Sequence, residues 1–157
     1  MGRGASAALL VVGLLTAAVW TVEAQVLSGP SQLERCDEGA FALSFSNPDP
    51  AQTACQIVFQ NTLPGSDFEY VPGSGSLSLP GTGAYPVDPS SGMVDVDAVV
   101  GAPYELPPGE TATLEFLLAT GCLAVSGVDS ARIDYVNCTA PGTPASVSDS
   151  LAVEILP

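Results

Sequence analysis

Apolar residues in this chain recur at alternate positions over short runs, and the runs are separated by clusters of Gly, Pro, Ser, Asn and Asp. Phe41, Leu43 and Phe45 alternate, which predicts a strand over Ala40 to Ser46 that stops at the turn Asn47-Pro48-Asp49-Pro50. Ile57 and Phe59 alternate with Gln56, Val58 and Gln60 in a second strand, Cys55 to Gln60. Further strands are expected over Phe68 to Val71, Met93 to Val99, Thr111 to Ala119, Ser130 to Asn137 and Ser150 to Leu156. Shorter ones are expected at Ser76 to Leu79 and Ala84 to Val87, inside a Gly/Ser/Pro-rich excursion from Pro72 to Gly92. The most regular run is Thr111 to Ala119, in which Ala112, Leu114, Phe116 and Leu118 share one face. No segment of the region after residue 24 has the period of a long amphipathic helix. The pattern is that of an all-β, immunoglobulin-like Greek-key β-sandwich with about seven principal strands.

The first 24 residues follow a different rule. Arg3, an apolar stretch from Ala7 to Trp20 and the small-x-small triplet Val22-Glu23-Ala24 read as a secretory signal peptide, residues 1–24, with a transmembrane anchor as the rival reading and Gly13, Thr16 and the cleavage triplet favouring removal. Its removal leaves an N-terminal segment, 25–37, and a sandwich domain, 38–157, with no second apolar run long enough to span a bilayer. The protein is therefore expected to be secreted, extracellular or at the cell surface.

Composition narrows the chemistry. The chain has 157 residues, 3 Lys+Arg, 17 Asp+Glu, no His and a net charge of -14. All three cations are Arg, and Arg3 leaves with Glu23, so the charge is the same after cleavage. Without His or Lys there is no Ser-His-Asp or Cys-His site, no Schiff base and no P-loop. Nucleic acid is excluded as a partner, because its phosphates need a basic patch. The expectation is a protein that is not an enzyme and has no cofactor, Ca²⁺ excepted.

Asn61-Thr62-Leu63-Pro64-Gly65 followed by Phe68-Glu69-Tyr70-Val71-Pro72-Gly73-Ser74 resembles the D-T-L-P-x-G-x-x-Y-V-x-G-S passage of a repeat domain of unknown function found in bacterial and archaeal surface proteins. Leu106-Pro107-Pro108-Gly109-Glu110-Thr111-Ala112-Thr113-Leu114-Glu115-Phe116 resembles the L-x-P-G-E-x-A-T-L-x-F passage of the same family. The resemblance implies an adhesin-like immunoglobulin sandwich, a building block of prokaryotic surface proteins with no established catalysis. Read physically, both passages are turns. Pro fixes φ and Gly accepts positive φ where one strand hands over to the next.

Cys36, Cys55, Cys122 and Cys138 sit in an exported chain, so two disulfides are expected, and close metal-ligand spacing is absent. If the principal strands alternate up and down, Cys36 and Cys138 lie at one end and Cys55 and Cys122 at the other. That parity favours nested bridges, Cys55 to Cys122 and Cys36 to Cys138.

The carboxylates are the remaining chemical resource. Asp95 and Asp97 lie two apart on one strand face with Asp88 upstream, which makes the three candidate Ca²⁺ ligands; Asp67 and Glu69 form another pair. A solvated acidic face is the alternative. Asn137-Cys138-Thr139 fits a glycosylation sequon. Three functions fit: a structural or adhesion module meeting cell-surface or matrix proteins, a fibre subunit that donates Gln25 to Glu34 to the sheet edge of another copy, and a Ca²⁺-dependent glycan binder.

Overall fold

A computed structural model describes residues 26–139 and 142–157; the expected signal peptide lies outside the described residues. In chain order the strands are β1 (Leu27–Ser28), β2 (Gln32–Glu34), β3 (Glu38–Ser46), β4 (Ala54–Thr62), β5 (Phe68–Tyr70), β6 (Gly75–Leu79) and β7 (Gly83–Val87), then β8 (Met93–Asp95), β9 (Thr111–Thr120), β10 (Gly127–Asn137) and β11 (Pro144–Leu156). One turn of helix, α1 (Val96–Val100), follows β8. The strands form two sheets. The first has the order β1-β3-β9-β6-β7, with β5 also on β9, and the second β2-β11-β10-β4-β8. This is an immunoglobulin-like sandwich.

The alternation read from the sequence fills the space between the sheets. Phe41, Leu43 and Phe45 of β3 and Leu114, Phe116 and Leu118 of β9 face Ile57 and Phe59 of β4 and Ile133 of β10, and all are almost fully buried. Each such side chain stabilises the fold by about 1.5–3 kcal/mol over its exposed state. Phe45 and Tyr135 meet across the interior with ring centroids 4.6 Å apart, and Tyr70 sets its edge on Phe116 at 5.3 Å. The Asn47 turn is held from within: its Nδ2 donates to the carbonyls of Gln52 (2.8 Å) and Leu106 (3.0 Å).

Three expectations are corrected. Met93 to Val99 is not one strand. The Asp95 carboxylate accepts the amides of Asp97 (3.0 Å) and Ala98 (3.3 Å), which caps α1, and Gly101 ends the turn at φ 76°. The alternation of Val94 and Val96 therefore hides a helix start.

The N-terminal segment is not free for another molecule. Val26, Leu27 and Leu33 are buried, Leu27 and Ser28 pair with β3, and Gln32 to Glu34 pair in parallel with the end of β11. The chain crosses from one sheet to the other at Gly29, where a Cβ would fall 2.3 Å from the Phe41 ring. Residues 26–37 thus belong to the sandwich, and donating them would empty part of its core.

The bridges are Cys36–Cys122 and Cys55–Cys138, interlaced rather than nested, with Cα separations of 4.6 and 5.5 Å. The parity argument fails at the β6–β7 hairpin. Both β5 and β6 run antiparallel to β9, β7 reverses, β8 reverses again, and β9 descends beside the ascending β3. Counting β7 as a full strand flips the direction of β9. Glu38 then lies opposite Ala119, which brings Cys36 to Cys122, and Ala54 lies opposite Asn137, which brings Cys55 to Cys138. Each bridge ties the start of one strand to the end of its antiparallel neighbour, one in each sheet, at opposite ends of the sandwich.

Candidate functional site

The inward faces of both sheets are spent on the core, so binding chemistry must come from outward positions, edges or loops. The second sheet offers an ordered outward face. Strand register sets it out in three rows: Asp95, Val58, Asp134 and Ser146; Met93, Gln60, Arg132 and Ser148; Thr62, Ser130 and Ser150. With strands about 4.8 Å apart, a four-residue row spans roughly 15 Å.

Asp134 joins the first two rows. Its carboxylate accepts Gln60 Nε2 on one oxygen (2.8 Å) and Arg132 Nε on the other (2.7 Å). This grip leaves the terminal guanidinium nitrogens of Arg132, 59% exposed, turned to solvent between two shallow grooves. One groove, of about 790 Å³, runs along Gln56, Val58, Asp95, Asp134 and Ser146, and the other, of about 590 Å³, along Gln60, Thr62, Ser130, Ser148 and Ser150; Arg132 borders both.

A bulge shapes the upper end of this face. The β4–β10 register shifts between Asp134 and Val136, and Gln56 takes φ 51°, a left-handed conformation that costs a non-glycine residue of order 1 kcal/mol. The bulge lifts Gln56 into the first groove. The surface combines amides, hydroxyls and one guanidinium with the carboxylates of Asp95 and Asp134 and the apolar Val58 and Met93. It can donate and accept along an extended polar ligand, and it presents no nucleophile paired with a base.

The carboxylates picked from the sequence each hold backbone amides. Asp88 accepts the Ser90 amide (3.0 Å) at the start of a 3₁₀ turn, Asp95 caps α1, and Asp97 accepts the Tyr104 amide (2.8 Å). Asp95 and Asp97 line the first groove, and Asp88 does not. Among the described residues, the one group of three side chains close enough to share a metal ion is Cys55, Glu105 and Cys138, whose sulfurs are bonded to each other.

Inside the lower end sits a polar cluster that the sequence reading missed. The Tyr70 hydroxyl donates to Asn61 Oδ1 (2.7 Å), and Asn61 Nδ2 donates to Asp129 Oδ1 (2.8 Å). Asp129 is fully buried and its second oxygen meets no donor. Burial pushes its carboxyl from the ordinary 3.8 up to about 6, against the opposing pull of hydrogen bonds from Asn61 and the Ser130 backbone. Burial first, and the Asp129 charge second, also raise the Tyr70 hydroxyl. Arg132, Gln60 and Gln56 were missed as well. Arg132 had one available signal, as a lone cation inside an alternating run of an acidic chain.

No protein-family model matches this sequence, and no curated protein matches it. Solved structures do resemble the fold. The major pilin subunit BcpA of Bacillus cereus superposes with a TM-score of 0.54 at 9% identity, over 82% of this chain and 40% of the pilin. A collagen-binding domain from a Staphylococcus aureus adhesin gives 0.46 at 10% identity, over 81% of this chain and 97% of that domain. AvmM, which catalyses macrocyclisation in alchivemycin A biosynthesis, gives 0.45 at 12% identity, over 84% and 89%. At these identities the likeness establishes the sandwich, and function must be argued from the surface.

Proposed function

We propose that this protein is a non-enzymatic module of a secreted or cell-surface assembly, of the adhesin-like kind implied by the sequence resemblance, and that it binds its partner along the outer face of β4, β10 and β11. The observation that carries this reading is the three-row array around Arg132. It is preset by the Gln60–Asp134–Arg132 contacts, so little side-chain freedom remains to be lost on binding. Two disulfides and a sandwich of short loops suit an oxidising, exposed location. The partner class is an extended polar polymer of a matrix or cell surface, a protein segment before a glycan. The surrounding negative charge selects a neutral or cationic ligand.

A panel of immobilised matrix proteins, collagen included, together with a glycan array read with and without a chelator, tests this. The expected result is saturable binding to a protein of the panel that is lost in a Gln60→Ala, Arg132→Ala double variant and is indifferent to chelator. Chelator-sensitive glycan binding would instead support the Ca²⁺ reading with Asp95 and Asp97 at the groove rim. Binding that survives the double variant would overturn the proposed face.

A further inference from the structure

Thirteen residues long, β11 is met on its outer side, among the described residues, by β2 at Glu154 to Leu156 and by β1 at Asp149, whose Oδ2 accepts the Leu27 amide (3.2 Å). Glu154 N donates outward to Ser31, and Ser150 N donates outward to its neighbour's carboxylate, Asp149 Oδ1 (2.8 Å). The β10–β11 register is unbroken from Val153 to Pro144, so the amides and carbonyls of Ser148 and Ser146 point outward too. Among the described residues, no strand of the second sheet pairs with them.

Other edges of the sandwich are blunted. Strand β7 carries Pro86, β1 has two residues and β8 has three. Exposed edges are usually guarded by Lys or other charges. The stretch Pro144–Ser148 has no charged residue, and its inward side chains, Ala145 and Val147, are only half-buried.

We propose that Pro144–Ser148 is a homotypic contact, at which two copies of this chain pair antiparallel and run their five-stranded sheets into one another. The segment is self-complementary about Val147. Ser146 of each copy faces Ser148 of the other, which forms two closely bonded pairs and four backbone hydrogen bonds. Val147 meets Val147 on the inner side and completes the burial that each lacks alone. Pro144, which has no N–H, and Ser150, whose amide is taken by Asp149, end the ladder on either side. No like charges face each other within the paired segment. The edge continues a pairing that the chain already makes with its own β2, and a two-fold contact needs no second sequence. So short a ladder between copies of charge -14 makes a weak dimer, strengthened when salt screens the repulsion.

Sedimentation velocity on the intact protein at about 0.1 and 1 M NaCl tests this. The expected result is a concentration-dependent rise in sedimentation coefficient at the higher salt, abolished by Ser148→Pro. That substitution removes an outward donor and spares the ladder to β10. Every cysteine is disulfide-bonded, so Ser148→Cys carries a single nitroxide label, and dipolar spectroscopy is expected to find paired labels within about 20 Å, a few strand spacings. Should Ser148→Pro fail to fold, the label distance decides. A wild-type protein monomeric at both salts, association unchanged by Ser148→Pro in a folded variant, or labels far beyond that distance would each overturn the proposal. The pairing uses the outward backbone groups of Ser146 and Ser148, whose side chains also stand in the rows around Arg132, so partner binding at that face is tested separately with the Gln60→Ala, Arg132→Ala variant.

Discussion

The hydroxyl of Tyr70 donates to Oδ1 of Asn61 over 2.7 Å and ties β5 of the first sheet to β4 of the second through the interior. Both residues belong to the Asn-Thr-Leu-Pro-Gly…Tyr-Val passage. The passage is therefore a fold device: its turn brings Tyr70 back over the strand it has just left. Tyr70→Phe keeps the ring on Phe116 and leaves the Asn61 oxygen unmatched, so unfolding in urea is expected to lose about 1–2 kcal/mol. A loss below a few tenths would mean that the link is not formed.

Asp129, at the far end of this chain of bonds, gives the protein an acid-favoured term. Its folded value, about 6, lies above its unfolded one, so the native state holds the proton longer. The favourable contribution is complete below about pH 4, falls away as pH rises through 6, and leaves a cost on the order of 2–3 kcal/mol above about pH 7. Asp129→Asn is expected to be more stable than wild type at pH 8 and close to it at pH 4. Because surface repulsion is common to both proteins, the difference between their stability curves isolates this group. A difference independent of pH would rule the assignment out.

Non-reducing peptide mapping is expected to recover fragments joining Cys36 to Cys122 and Cys55 to Cys138, and none joining Cys55 to Cys122. The loops close over separations of 86 and 83 residues, so loss of either bridge through paired Cys→Ser changes is expected to cost about 4–5 kcal/mol. Thermal unfolding of each double variant checks the magnitude.

With a net charge of -14, the folded chain repels itself, and the repulsion fades as the Debye length shrinks from about 10 Å at 0.1 M to about 3 Å at 1 M salt. The melting temperature is expected to climb across a NaCl series. CaCl₂ is expected to add an effect beyond ionic strength only if Asp95 and Asp97 recruit the ion at the groove rim. A flat NaCl series would contradict the charge argument.

The legible part of the fold is the part governed by period-two burial. The runs around Phe41, Phe59, Phe116 and Ile133 place the four long strands of the core, because a strand with one buried face has no other way to arrange them. What stayed hidden depended on partners distant in sequence. Leu27 and Leu33 are too few to show a period, and their strands exist because β3 and β11 offer edges to pair with. Asp95 carries the same alternation whether it continues a strand or caps a helix. The disulfides turned on the direction of β9, which one short hairpin reverses. At the candidate site, Arg132 and Gln60 stand opposite each other only once the register of β4 and β10 is known, and Asp129 looks in sequence like any surface carboxylate.

Whether the outer face of β4, β10 and β11 receives the partner is read most directly from amide chemical shifts of the labelled protein as a matrix ligand identified by panel binding is added. The largest changes are expected at Gln56, Gln60, Arg132, Asp134 and Ser148. Changes concentrated on the first sheet, or on the exposed loop at Leu123 and Val125, with the Arg132 face silent, would contradict the proposed binding face.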